Sequence, residues 1–72
     1  MPLHPDTFKY LEPTVQQWLD MGDARAAAAG YARAIEALVP DGADKTYILR
    51  KLREVSMWVN IAITREADGS PR

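Results

Sequence analysis

The chain has 72 residues and 34 apolar side chains, 11 of which are alanine, so only 23 larger apolar side chains can build a core. Chains this short usually need disulfides, a metal or oligomerisation as additional support. Cysteine is absent and His4 is the only histidine, which excludes disulfides and argues against a metal site; we therefore expect no metal, no cofactor and a self-associating chain. The net charge of −1 argues against a DNA partner. No apolar run approaches ~20 residues, and the start lacks a basic and apolar leader. We therefore expect a soluble cytoplasmic protein with no membrane partner.

The first segment is expected to form two short helices. Residues 6–12 carry an N-capping aspartate and read as one or two turns. Pro13 suits the first position of a helix, and residues 14–21 carry apolar side chains at helical spacing. Gly22 is expected to end this second short helix.

Two longer helices follow. Asp23 is a suitable N-cap for an alanine-rich helix over residues 24–39, whose small side chains would let another helix approach closely. The sequence Pro-Asp-Gly at 40–42 is a strong break, and a helical pattern then resumes over residues 44–66. Helices joined by a few polar residues pack antiparallel.

The expected fold class is therefore all-α: an antiparallel helical hairpin with short N-terminal helices that assembles into a homo-oligomer. It forms a single domain over residues 1–66. The glycine, serine and proline of residues 67–72 predict a disordered tail.

The last helix is apolar on two sides. Five apolar residues follow one another at intervals of four and three residues, the spacing of a coiled-coil-like seam. This seam would pack on the alanine-rich helix and consists of Ile48, Leu52, Val55, Val59 and Ala62. Met57 and Ile61 fall on roughly the opposite side, with Trp58 and Tyr47 beside them. A two-helix hairpin cannot cover both sides, so we infer a subunit interface there; packing of the N-terminal helices over that side is the alternative. Asn60, inside the apolar run, could fix the register of such an interface.

The charges are unevenly distributed. Residues 1–44 sum to −4 and residues 45–53 to +4, so the near-neutral total conceals a basic segment. Three of its four cations share one side of the helix within about 140° of arc: Lys45, Arg50 and Arg53.

The start of the last helix has the components of a phosphate site. Lys45 lies in the first turn, where unpaired backbone N–H groups and the Thr46 hydroxyl are also available. In the alternative interpretation, Asp41 and Asp44 neutralise Lys45 and the remaining cations are simply solvated.

The N-terminal segment offers a second candidate. Phe8 and Tyr10 flank Lys9, which combines aromatic platforms with a cation, as in proteins that hold nucleobases. A hydrophobic contact with the hairpin explains the two aromatic residues equally well. Arg25 is a further candidate phosphate contact, although exposed helix arginines are usually solvated.

Two stretches resemble a known family. Residues 39–54 read VPDGADKTYILRKLRE and residues 57–65 read MWVNIAITR. They resemble, without a gap over about 27 of the 72 residues, the hairpin domain of the phage anti-CBASS and anti-Thoeris cyclic-nucleotide sponges. The chain departs from the family pattern at five positions: Ala43, Tyr47, Ile48, Val55 and Ser56.

The resemblance implies a helical protomer that assembles through its hairpins, often into hexamers, in the cytoplasm of the infected bacterial host. It implies binding of a cyclic di- or trinucleotide, or of a cyclic ADP-ribose signal, between subunits and without cleavage. Carried over by position, Lys45, Thr46 and Arg50 would contact phosphate. The remaining ligand candidates rest on chemistry alone: Lys9 and Arg25 for phosphate, and Phe8 and Tyr10 for base stacking.

Other classes of function are weaker. Nothing in the sequence resembles a catalytic set, so we expect no enzyme. A helical adaptor whose second apolar face docks another protein is the main alternative. A nucleic-acid-binding regulator that uses the basic helix start is a third, and the acidic remainder of the chain counts against it.

Overall fold

The computed structural model describes residues 2–72, so Met1, the first residue of the predicted domain, lies outside the described part. Two α-helices form the fold, α1 over Val15–Leu38 and α2 over Ala43–Thr64. They pack against each other in antiparallel directions: Gln17 near the start of α1 donates to the Ile63 carbonyl near the end of α2, at 3.3 Å. Residues 2–72 contain no strand. The predicted all-α hairpin is confirmed, and its assembly stays a prediction.

Helix α1 begins with a capping box. The Thr14 hydroxyl accepts a hydrogen bond from the Gln17 amide at 3.1 Å, and the Gln17 side chain accepts one from the Thr14 amide at 3.0 Å. This reciprocal pair satisfies two backbone donors at the helix start. Pro13 precedes the cap, so its predicted position inside the first helical turn is wrong by two residues.

Helix α1 continues through Gly22, which corrects the predicted division into helices ending at 21 and starting at 24. An interior glycine costs about 1 kcal/mol relative to alanine. The alanine-rich segment that follows is strongly helix-forming, and no proline interrupts it, so continuation is favoured. Asp23 accordingly lies inside the helix and caps nothing.

The predicted short helix over residues 6–12 does not form either. Two hydrogen-bonded turns take its place, with the Thr7 amide bonded to the His4 carbonyl at 3.0 Å and the Lys9 amide bonded to the Asp6 carbonyl at 3.1 Å. The proline that follows lacks an N–H and disfavours helical backbone in the residue before it.

The connection between the helices is short. Helix α1 ends at Leu38, just before the predicted break at 40–42. Gly42 is the N-cap of α2 and has a φ of 150°, a backbone conformation that side-chain-bearing residues rarely adopt. The tight turn therefore depends on a glycine at this position.

The packing face of α2 differs from the predicted seam. The half-buried side chains along the helix are Lys45, Leu49, Leu52, Ser56, Asn60, Ile63 and Thr64. Of the predicted seam only Leu52 is among them, and Ile48, Val55, Val59 and Ala62 are exposed. At ~100° per residue the centres of the two faces differ by about 90°. The hydrogen bonds of Lys45 to the end of α1 and of Gln17 to the end of α2 hold the helix in the observed rotation.

The hairpin has almost no core of its own. Ile35 of α1, at 5% exposure, is the one buried hydrophobic residue among residues 2–72. The molecule measures 44 × 28 × 15 Å, and its thin dimension is close to the ~10–12 Å diameter of a single helix. Within residues 2–72 no third helix covers either broad face.

The C-terminal segment is folded, contrary to the predicted disordered tail. Residues 65–72 close a loop in which the Arg72 amide donates to the Thr64 carbonyl at 2.9 Å and the Glu66 amide to the Ser70 carbonyl at 2.8 Å. Gly69 has a φ of 91°, and a Cβ at this position would clash with the Thr7 side chain. Composition alone indicated disorder, because these contacts with the N-terminal segment are not visible in a local pattern.

Candidate functional site

Lys45 closes the tip of the hairpin. Its Nζ donates to the Glu36 carbonyl at 2.8 Å and to Asp41 Oδ1 at 3.0 Å, and lies 3.4 Å from Glu36 Oε2. The side chain is only 12% exposed. The hydrogen bond that Lys45 donates to Asp41 raises the pKa of Lys45, so the ammonium group stays charged. Its charge is neutralised within the hairpin, as in the alternative interpretation of the sequence, with Glu36 acting in place of Asp44.

The other two predicted contacts at the tip differ from each other. The Thr46 hydroxyl donates to the Gly42 carbonyl at 3.4 Å. Arg50 is exposed, and its guanidinium has no ion pair or hydrogen bond with any residue in the described part of the chain. Of the three positions carried over from the resemblance, Arg50 alone has a cation available to an outside anion.

The aromatic residues of the N-terminal segment are unusually exposed. Phe8 is 91% and Tyr10 85% exposed. Between them, Lys9 Nζ forms an ion pair with Asp6 Oδ1 at 3.0 Å, which lowers the pKa of the Asp6 carboxyl. Lys9 therefore also has a counter-ion, whereas the two rings have room for a ligand.

Each of the two aromatic residues shares a depression with a tryptophan. Phe8 and Trp58 line a groove of about 650 Å³ at the end of the hairpin where the termini meet. Tyr10 and Trp18 line a smaller depression of about 360 Å³ beside the start of α1. The sequence grouped Phe8 and Tyr10 into one platform, but the structure places them in two.

Arg65 holds the N-terminal segment in place. Its Nη1 donates to the Asp6 carbonyl at 2.8 Å and to the Gly69 carbonyl at 2.7 Å, and its Nη2 donates to the Lys9 carbonyl. One guanidinium thus ties both chain termini to the end of α2 and positions Phe8. Sequence reasoning missed this role, because an arginine beside a predicted disordered tail gives no signal of it.

Lysines and arginines are used differently in this chain. Each of its three lysines has an acidic partner within hydrogen-bond reach. Arg65 binds backbone carbonyls, and Arg72 pairs with Glu66 at 3.1 Å. The remaining four arginines have no ion pair or hydrogen bond within residues 2–72: Arg25, Arg33, Arg50 and Arg53.

Two of these unpaired arginines meet at one groove. Arg25 of α1 and Arg53 of α2 line a groove of about 360 Å³ along the junction of the helices. Arg53 was part of the predicted cation cluster but not of the predicted site. Its helical spacing from Lys45 and Arg50 placed it on their side of the last helix. The sequence did not show that Arg25 of α1 would line the same groove.

The predicted interface residues are exposed in the isolated chain. Met57 is 59%, Trp58 62% and Ile61 43% exposed. The packing of the N-terminal segment, which was the alternative explanation, covers them only in part, since Trp58 and Ile61 line the groove beside Phe8 and stay open to solvent. That a second subunit covers Met57, Trp58 and Ile61 stays a prediction.

The fold and site define a thin helical hairpin with unpaired arginines, exposed aromatic residues and a broad apolar surface. Neither helix of residues 2–72 is long and apolar enough to cross a membrane. No protein-family model matches the chain, and no significant match to a curated protein or to a solved structure is found.

Proposed function

We propose that the protein binds a cyclic nucleotide signal, a cyclic di- or trinucleotide or a cyclic ADP-ribose, and sequesters it without cleaving it. The observation that carries the proposal is the set of hairpin arginines without acidic partners, in a chain whose lysines are all paired. A planar guanidinium fits phosphate oxygens with two parallel hydrogen bonds, so unpaired arginines favour a phosphorylated ligand.

The exposed aromatic residues support a ligand that also contains bases. Stacking of a base on an aromatic ring contributes about 1–3 kcal/mol and is tolerant of the base identity. Phe8 and Tyr10 expose nearly their whole rings and stand next to a second aromatic side chain each. A nucleotide is the common ligand that combines phosphate with planar aromatic groups.

The phosphate contacts that we propose are Arg50, with Thr46 one turn before it near the hairpin tip, and Arg25 of α1, which lines the groove between the helices. We leave Lys45 and Lys9 out of the phosphate contacts, since their ammonium groups already have carboxylate partners. A phosphate would have to displace these partners before it could bind.

A homo-oligomer is part of the proposal. With only Ile35 buried, the single hairpin removes little apolar surface from water, and apolar burial is the main driving force of folding. A second copy of the chain is the one partner that is present wherever the protein is made. A symmetric assembly also suits a cyclic ligand, because two copies of one arginine can meet two phosphates. The hexamer and the infected bacterial cytoplasm come from the resemblance.

Sequestration needs affinity and stoichiometry, and no turnover. If the sites outnumber the signal molecules and bind them with a Kd of ~10 nM, or about −11 kcal/mol, the concentration of free signal falls below the level that activates an effector of weaker affinity. Such a protein would act by mass action against a bacterial defence.

Native mass spectrometry of the purified protein with a panel of cyclic di- and trinucleotides and cyclic ADP-ribose isomers tests the proposal. The expected result is an oligomer that retains one intact ligand type. The double variant Arg25→Glu and Arg50→Glu should lose the ligand and keep the oligomer mass. Arg33→Glu with Lys51→Glu makes the same change in charge, one residue in each helix, and should retain it. An oligomer that binds none of the panel would contradict the proposal.

A second candidate function is a helical adaptor that docks another protein. The observation that favours it is the apolar surface of α2, where the unused seam residues Ile48, Val55 and Val59 are exposed in addition to Met57 and Trp58. An adaptor would show no nucleotide affinity and would lose its partner on Met57→Asp. Ligand retention in the panel experiment would decide against it.

A further inference from the structure

The groove between the two helices has a small-residue floor and polar groups from both sides. Ala28, Ala29 and Ala32 of α1 form part of its lining, and Ser56 and Asn60 of α2 lie in the same lining. Its volume of about 360 Å³ is at the lower end of the ~300–1,000 Å³ that is usual for ligand pockets. The alanines keep it open, because a larger side chain there would fill it.

Positive charge enters this groove from both helices. Arg25 and Arg53 belong to different helices, line the same groove, and have no acidic partner within residues 2–72. Two guanidinium groups near one cavity repel each other unless an anion lies between them. The arrangement is therefore complementary to a multiply charged anion such as a phosphate or pyrophosphate.

The groove also contains an unused hydrogen-bond acceptor. Asn60 Oδ1 is shielded from solvent and is the one buried side-chain polar atom without a partner in residues 2–72. A buried polar atom without a hydrogen bond is a departure from the rule for folded proteins. Because this oxygen is shielded, a ligand can reach it only if a lining side chain moves, and the lining includes Met57, which is exposed and unbranched.

We infer that the interhelical groove is a binding site for the phosphate groups of a nucleotide, with Arg25 and Arg53 as the anion contacts and Asn60 Oδ1 as acceptor for an N–H or O–H of the ligand. The nucleotide nature of the ligand rests on the proposed function, whereas the anion site rests on the groove alone. Compared with the site predicted from the sequence at the hairpin tip, this site has Arg53 as a phosphate contact in place of Lys45, whose charge is neutralised by acidic partners.

Titration of ¹⁵N-labelled protein with inorganic pyrophosphate at constant ionic strength, followed by NMR, tests the anion site. Saturable shifts are expected at the amides of residues 28–32 and 53–57 and at the Nε–H groups of Arg25 and Arg53. Because hydrogen bonds between charged groups are among the strongest in proteins, Arg25→Ala and Arg53→Ala should each weaken binding by about tenfold or more.

Two control variants remove one positive charge each without touching the groove lining. Arg33→Ala, on α1 and unpaired like Arg25, and Lys51→Ala, on α2, should change the affinity by no more than about twofold, the effect of a distant exposed charge. Equal losses in groove and control variants, or no saturable binding of pyrophosphate, would overturn the anion site.

Asn60 is tested with a ligand that carries hydrogen-bond donors. ADP has hydroxyl and amino groups that the pyrophosphate probe lacks, so Asn60→Ala should weaken ADP and leave pyrophosphate binding unchanged. An equal effect on both probes, or on neither, would overturn the role of Asn60.

The outcomes also separate this inference from the proposed function. Pyrophosphate binding at the groove without retention of any cyclic nucleotide would leave the anion site standing and refute the sponge. Retention of a cyclic nucleotide at undiminished affinity in Arg53→Ala would overturn the groove and leave the sponge standing.

Discussion

At the residue scale, Lys45 shows how the structure changes the meaning of a sequence signal. A lysine in the first turn of a helix is opposed by the helix dipole, and the sequence therefore indicated either an anion ligand or a local counter-ion. The ammonium group bonds to Asp41 in the connection and to the Glu36 carbonyl in the last turn of α1. Since a cation at a helix C-terminus interacts favourably with the dipole, Lys45 stabilises the end of α1 while it belongs to α2.

We predict that Lys45→Met lowers the melting temperature more than Lys51→Met does. Both changes remove one positive charge, but Lys51 forms only an exposed pair with Glu54 three residues away and an exposed cation–π contact with the Tyr47 ring at 5.5 Å, and such exposed interactions contribute little. Circular dichroism melts at equal protein concentration would measure the difference. Equal melting temperatures would mean that Lys45 does not hold the hairpin tip.

The pH dependence of this effect has a definite sign. Because the hydrogen bond that Lys45 donates to Asp41 raises the pKa of Lys45 in the folded state, the stabilisation is fully present below the ordinary lysine pKa of ~10.4. It is lost as the pH rises through the raised value. The gap in melting temperature between the wild type and Lys45→Met should therefore stay constant near neutral pH and close in strong alkali.

The candidate site was only partly predictable at this scale. The positive segment of α2 followed from residue types. The exposure of Phe8 and Tyr10 did not, because a hydrophobic contact with the hairpin explained the two rings equally well. The counter-ions of Lys9 and Lys45 did not, since a pair of opposite charges three to nine residues apart forms only when the backbone between them turns in the right direction. Arg53 entered the site only when α1 supplied Arg25 on the same groove.

At the scale of the elements, α1 is a single helix where the sequence indicated two. The apolar pattern, the glycine and a possible N-cap all favoured a break near residue 22. The intrinsic preference of the alanines that follow opposed it, and these weak local signals differ by no more than about 1 kcal/mol. Element boundaries of this kind depend on packing that a local pattern does not contain.

We predict that Gly22→Ala stabilises the protein by up to about 1 kcal/mol, because alanine loses less backbone entropy than glycine in a helix interior. The new Cβ would lie 3.9 Å from Nη2 of Arg25, an ordinary contact. Gly69→Ala is the opposite control and should destabilise, since its backbone φ of 91° and the Thr7 side chain exclude a Cβ. Chemical denaturation would measure both, and a destabilised Gly22→Ala would show that the chain breaks at this glycine.

The pairing of the helices was predictable, and the rotation of α2 was not. A helix with apolar residues on two sides offers several faces to a partner, and the apolar pattern alone does not rank them. Lys45 and Asn60, two polar residues, lie on the observed packing face, while Val55 and Val59 point outwards. Small alanines on α1 and hydrogen bonds at both ends of the hairpin decide the rotation, and both require knowledge of the partner helix.

At the scale of the whole molecule, apolar surface is the dominant feature. Fifteen large apolar or aromatic side chains of residues 2–72 are exposed, against one that is buried. Scattered exposed apolar residues are normal, but a thin hairpin with an apolar helix face is typical of one part of an assembly. Its stability should then depend on protein concentration, because association stabilises the folded state by mass action.

We predict that the wild-type protein is an oligomer in solution and that Ile61→Asp reduces its mass. A charged side chain placed in an apolar contact loses hydration without gaining a partner, and the lost isoleucine contact removes a further ~1.5–3 kcal/mol of burial. Val15→Asp, an equally drastic change at an exposed position at the start of α1, should leave the mass unchanged.

Light scattering coupled to size exclusion, over a hundredfold range of concentration, measures the mass, and circular dichroism follows the helix content. Dissociation of Ile61→Asp with a simultaneous loss of helix would mean that the hairpin folds only as it assembles, as its single buried residue indicates. Dissociation with the helices intact would mean that the hairpin tip and the capping box hold the monomer together. A monomeric wild type, or an Ile61→Asp oligomer of unchanged mass, would refute this interface. The apolar face of α2 would then be free to bind a different protein, as the adaptor hypothesis requires.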